Sequence, residues 1–141
     1  MSVKMSVEFT GMNEIMKKLN TLNADIKSIT EDALTKTFEI VTAKADAAMV
    51  PANMPTGQYW TGDTKSSLVR SPKIYWNGTE ASVYVGFDSK KGGFPSIFLL
   101  RGTPYHKPVQ VLVDAFYGDQ TRGEVMLAQK EIFTSALEKL Q

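Results

Sequence analysis

Lys73-Ile74-Tyr75-Trp76-Asn77-Gly78-Thr79-Glu80-Ala81-Ser82-Val83-Tyr84-Val85-Gly86-Phe87 decides the fold class of this 141-residue chain. Asn77-Gly78 supplies the two residues that most readily adopt positive φ, as a two-residue type I′ turn requires, and alternating runs flank it on both sides. With that turn setting the register, Trp76 is expected opposite Thr79 and Ile74 opposite Ala81. Side chains alternate along a strand, so Ile74, Trp76, Val83, Val85 and Phe87 share an apolar face. The other face carries Lys73, Tyr75, Glu80, Ser82 and Tyr84 and is wetter or open to a partner. Asn77-Gly78-Thr79 also spells a glycosylation sequon, for which turn formation is the simpler account.

Helical periodicity surrounds this hairpin. Upstream, Val7 to Thr10 fits a short first strand, and Met12, Ile15, Met16, Leu19 and Leu22 then fall on one helical face with Thr10 as N-cap. A longer helix is expected from about Asp25 to Met49, its stripe formed by Ile26, Ile29, Ala33, Leu34, Phe38, Val41, Ala45, Ala48 and Met49. Pro51 and Pro55 end it, and residues 51–67 are expected to form a mobile loop. Downstream, Asp88-Ser89-Lys90-Lys91-Gly92-Gly93 is a turn-rich basic loop, and an apolar segment runs from Phe94 to Leu100. Val111, Leu112, Ala115 and Phe116 favour a short helix, although Val109, Val111 and Val113 also fit a strand. A last helix is expected from about Gly123 to Leu140, with Val125, Ala128, Ile132, Phe133, Ala136, Leu137 and Leu140 on its inner stripe. This order predicts a single α+β domain, residues 1–141, in which a small antiparallel sheet with a central hairpin packs against a long N-terminal helix and a C-terminal helix.

Composition narrows the functional classes. A chain 43% hydrophobic and 22% charged can build a real core. With no cysteine it has neither a disulfide framework nor a thiolate metal site, which suits a reducing setting. Met1-Ser2-Val3-Lys4-Met5 does not lead into the apolar core of a signal peptide, and no apolar run approaches the roughly 20 residues of a membrane helix. Sixteen basic against fifteen acidic residues leave a net charge of +1, which disfavours a grip on a phosphate backbone.

Reactive groups are sparse. His106 is the lone histidine, without further ligands at metal-site spacing, and reads as a surface loop residue. Asp63, Thr64, Ser66 and Ser67 make a hydroxyl-rich loop without a G-x-S-x-G elbow, so capping and turn formation are their expected roles. Gly57 and Gly62 have phosphate-loop spacing, but Asp63-Thr64 stands where a lysine and a hydroxyl residue belong. No catalytic residue, cofactor or metal is therefore expected. Tyr59 and Trp60 are the unusual pair: two large aromatics in a polar loop either fold back on the core or dock into a partner.

Taken together, Val7-Glu8-Phe9-Thr10-Gly11-Met12, Thr61-Gly62-Asp63-Thr64-Lys65-Ser66-Ser67-Leu68, Val83-Tyr84-Val85-Gly86-Phe87 and Arg101-Gly102-Thr103-Pro104 resemble the gene-product-ten family of lambda-like long-tailed bacteriophages. The resemblance covers most of the chain and rests on the order of short motifs. It departs in the long loop before Thr61 and in Tyr105-His106-Lys107-Pro108. It implies a non-catalytic virion protein at the neck, joining the DNA-filled head to the tail as a ring, sixfold by expectation. The implied partners are further copies of itself, head-completion or connector proteins, and tail-terminator or tail-tube proteins. DNA passes through without sequence-specific binding, no membrane is involved, and assembly takes place in the host cytoplasm. Tyr59, Trp60, Thr61, Gly62, Asp63, Lys65, Arg101, Gly102 and Thr103 are the expected interface residues. A tail-terminator-type ring is the alternative, with a small nucleic-acid-binding module or an enzyme further behind.

Overall fold

The computed structural model describes residues 2–6 (backbone only), 25–54, 62–78, 80–93, 95–105 and 107–139. Its elements are β1 (Ser2–Ser6), α1 (Ile26–Ala48), α2 (Asp63–Ser66), β2 (Ile74–Asn77), β3 (Glu80–Gly86), α3 (Ser96–Arg101), α4 (Gln110–Tyr117) and α5 (Asp119–Lys139). Short 3-10 turns occupy Pro51–Asn53 and Ser89–Lys91. The chain is α+β, as expected: a small antiparallel sheet packed against a long N-terminal helix and a C-terminal helix.

The sheet has three strands in the order β1-β3-β2, both pairings antiparallel. The expected strand over Val7 to Thr10 and the helix over Met12 to Leu22 lie outside the described residues. The first strand observed is Ser2–Ser6, whose register sets Val3 beside Val85 and Met5 beside Val83. In the hairpin, Asn77 pairs with Glu80, Trp76 with Ala81 and Ile74 with Val83, two residues away from the expected register. Asn77 ends β2, and the turn begins at Gly78, which has φ 65°. The slip sets Ile74 against the larger Val83 and leaves the bulky Trp76 opposite a small alanine, a better cross-strand fit. Because the slip is even, every side chain keeps its predicted face.

Helix α1 starts where Asp25 accepts a hydrogen bond from the Ser28 amide at 3.1 Å. It stops before Val50 extends and Pro51 follows, having buried Ala33, Leu34, Phe38, Val41, Ala45 and Ala48. This stripe packs against β3, α4 and α5. β3 contributes Val83 and Val85, and Phe87 beyond it meets Phe116 of α4 edge-to-face at 6.1 Å. From α5 come Val125 and Phe133. A polar pair crosses this core: Gln129 of α5 donates to Thr37 Oγ1 of α1 at 2.9 Å, while Thr37 donates to Ala33 O at 2.9 Å. Buried polar atoms need partners, so this link sets how the two long helices register. The valines near 111 resolve into the helix α4, whose N-terminal Val109 amide bonds Leu99 O at 2.8 Å.

Candidate functional site

The segment expected to assemble is tied down at its C-terminal part. Gly62, at φ 82°, caps the single turn of α2 that carries Asp63 and Lys65. Ser67 donates to Thr64 O at 2.6 Å, so this buried hydroxyl closes the turn and is spent locally. From there Leu68 bridges to Phe87, and the Val69 amide bonds Gly86 O at 2.8 Å, which attaches the segment to the end of β3. The Asp88 amide reaches Ser67 O at 2.8 Å. Asp88 also accepts from the Lys90 amide at 2.9 Å and caps the turn Ser89–Lys91. Gly93 closes the knot: a Cβ there would stand 2.5 Å from Asp88 O and 2.7 Å from Ser67 Oγ.

Residues 51–67 are thus not one uninterrupted loop. A 3-10 turn occupies Pro51–Asn53, α2 fills the far end, and Arg70 anchors the exit by donating to Lys65 O at 3.3 Å. Arg70 Nη2 also stands 2.7 Å from Asp46 Oδ1 of α1, a charge contact without hydrogen-bond alignment. Tyr59, Trp60 and Thr61 lie outside the described residues, as does His106. Arg101, Gly102 and Thr103 belong to a different unit, the end of α3 and the loop after it. There the Gly102 amide, at φ 78°, bonds Phe98 O at 2.8 Å, and the Tyr105 amide bonds Thr103 Oγ1 at 3.1 Å. The Gly102 and Tyr105 amides bond within α3 and the loop after it, whereas Ser67 and Val69 tie the other motif to the end of β3.

Two further surfaces stand out. On the open face of the sheet, Tyr75 and Tyr84 meet edge-to-face with centroids 5.5 Å apart, and Lys73 Nζ lies 5.3 Å from the Tyr75 ring centre. Both tyrosines are exposed, at 45% and 40%. The second surface is an open cleft of about 420 Å³ between the end of α1, α4 and the start of α5. Ala47, Ala48 and Ala115 are among its small apolar lining residues, with Asp114, Asp119 and Lys44 as its charges. Lys44 is engaged by Glu124 at 2.9 Å, and this hydrogen bond holds the Glu124 carboxyl below the usual carboxylate range, against a smaller opposing effect of desolvation. Sequence periodicity marked the tyrosine face but could not mark the cleft, which three separate helices build.

Among the described residues, no group of three acidic or histidine side chains converges as a metal site would require, and no helix is long and apolar enough to cross a membrane. Comparison of the chain with family models, curated proteins and solved structures finds no match.

Proposed function

We propose that this protein is a structural subunit of a tailed-bacteriophage neck, forming a ring that joins the DNA-filled head to the tail and lets DNA pass. The observation that carries the reading is the exposed tyrosine pair on the outer face of the sheet. The inner face already completes the core with Val83, Val85 and Phe87, yet the outer face keeps Tyr75 and Tyr84 in solvent. Exposed, mutually oriented aromatics on a rigid sheet are the side chains that interfaces favour, because they bring area with little rotamer entropy to lose. This face suits the neighbouring head or tail protein. The near-neutral charge of +1 supports a lumen that does not hold the duplex. The resemblance of its motif order to the gene-product-ten family supports the station at the neck.

A second reading has one observation in its favour. Two tyrosines with Lys73 beside them also make a stacking platform of the type that binds single-stranded nucleic acid. The absence of a basic excess counts against it.

Deleting the gene from the phage or prophage that carries it should leave unattached filled heads and tails in the lysate, visible by electron microscopy. A Tyr75→Ser/Tyr84→Ser variant should fold yet restore few infectious particles. Normal yields without the gene remove the neck assignment. Tight, salt-sensitive binding of a fluorescent oligonucleotide, lost in the same variant, favours the second reading.

A further inference from the structure

Building on the ring reading, we propose that the loop after α3 of one copy seats Tyr105 in the cleft between α1, α4 and α5 of the next, making the contact that propagates the ring. Tyr105 is 89% exposed, more than any other large hydrophobic among the described residues. Its loop is braced in advance: the Gly102 amide bonds Phe98 O, the Tyr105 amide bonds Thr103 Oγ1, and the Val109 amide bonds Leu99 O. A side chain held out on a pre-organised loop loses little entropy on docking.

Charge says what the loop meets. Arg101 and Lys107 flank Tyr105, both are exposed, and neither is in an ion pair among the described residues. The cleft offers the complement. Its lysine is neutralised by Glu124, whereas Asp114 and Asp119 carry no ion pair among the described residues. Ala47, Ala48 and Ala115 leave room between those carboxylates, and about 420 Å³ lies in the range of sites that bury a small ligand. A tyrosine brings a comparable apolar body. The same chain therefore carries a basic aromatic knob and an acidic small-residue socket on different elements. In a single copy the knob stands in solvent and the socket is open. Tyr105 lies on the loop that leads into α4, whose Val111 lines the cleft, and a contact of this loop with the next copy's cleft runs head to tail and closes into a ring when the rotation is right. The paired charges set register and partner choice more than raw affinity.

The chain has no cysteine, so introduced cysteines report without background. Full-length protein carrying Pro104→Cys and Gln120→Cys together, which keeps Tyr105, should, on mild oxidation at high concentration or within purified particles, give a ladder of disulfide-linked oligomers on non-reducing gels. Neither single variant should give more than a dimer. Mixing a copy bearing Gln120→Cys, Asp114→Lys and Asp119→Lys with one bearing Pro104→Cys should cut the yield of cross-links between the two at least tenfold. Adding Arg101→Glu and Lys107→Glu to the second copy should restore it. A product that stays monomeric with an internal disulfide, or oligomers on native mass spectrometry that give no ladder, overturns the contact while leaving the ring reading standing. A ladder from the purified protein, with heads and tails joining normally when the gene is deleted, keeps the contact and removes the neck.

Discussion

The two faces of β3 differ by one residue of offset and by almost everything else. Val83 and Val85 are fully buried against α1, and the next residue in that series, Phe87, packs on Phe116. Tyr84 between them points the other way and stands 40% exposed beside Tyr75. The outer face mixes Glu80 and Ser82 with Tyr75 and Tyr84, so large aromatic side chains alone do not separate structure from surface. Neighbours do: the inner face meets α1, whereas Tyr84 on the outer face packs edge-to-face on Tyr75 and stays exposed. The inner face should therefore govern stability and the outer face association.

The strongest way to break this contrast is Phe87→Ala. Removal of a ring 2% exposed, with its edge-to-face partner left beside a void, should cost about 3–5 kcal/mol. In urea titrations this should appear as a lower midpoint with an unchanged slope. A loss under about 1 kcal/mol would mean that the core does not close over the end of β3.

Trp76 and Tyr75 sharpen it. Trp76 is on the inner face but at the rim, half-buried, with its indole N–H donating to Glu31 Oε1 at 2.9 Å and Lys27 Nζ 5.8 Å from its ring centre. Trp76→Ala should cost about 2 kcal/mol, less than a fully enclosed ring because part of the indole already meets water. Tyr75→Ala, one residue away on the open face, should cost under about 1 kcal/mol. Equal losses would put the two residues on one face and refute the hairpin facing.

What the sequence revealed and what it hid follow from the same alternation. The facing of Ile74, Trp76, Val83, Val85 and Phe87 was legible because a period of two is a local property. The register was not, since sliding one strand by two residues leaves that pattern unchanged, and the choice falls to Ile74 beside Val83 and a turn begun at Gly78. On the helical side, the stripe from Ala33 to Ala48 could be read directly. Gln129 could not: a polar residue in an amphipathic helix reads as solvated until Thr37, 92 positions away, supplies its partner. Of the candidate site, the chemistry of Gly62 and Gly102 was visible as turn-forming residues, and both take positive φ. The attachment of Ser67 to Asp88, and the cleft joining Ala47 to Ala115, depend on contacts between distant segments, which no local pattern encodes.

On the solvent side of α5, intrinsic preference replaces packing. Gly123 lies inside the helix, and a Cβ there meets nothing within 4 Å. Gly123→Ala should therefore stabilise the protein by about 0.5–1 kcal/mol, by lowering the entropy of the unfolded chain at no steric cost. Thermal melts should show the midpoint rising. A fall would mean that another copy or segment occupies that space.

The smallest effect tests whether a charged surface contact follows the same rule. Lys44 and Glu124 are 2.9 Å apart, with side chains 30% and 44% exposed. The hydrogen bond from Lys44 is the main cause of the lowered Glu124 pKa, with the Coulombic attraction of Lys44 and the Gln120 hydrogen bond adding to it. A carboxyl whose pKa falls on folding contributes stability that is fully present above its unfolded value, and that contribution disappears as pH drops through the folded value. Glu124→Gln should consequently be slightly less stable than the parent at neutral pH, and the two denaturation midpoints should converge as the solution is acidified past the normal carboxylate range. Added salt should shrink the neutral-pH difference as well, because both groups face water. If the gap instead widens toward acid, protonating Glu124 in the parent is favourable in the fold, and the Lys44 contact is not what sets its charge.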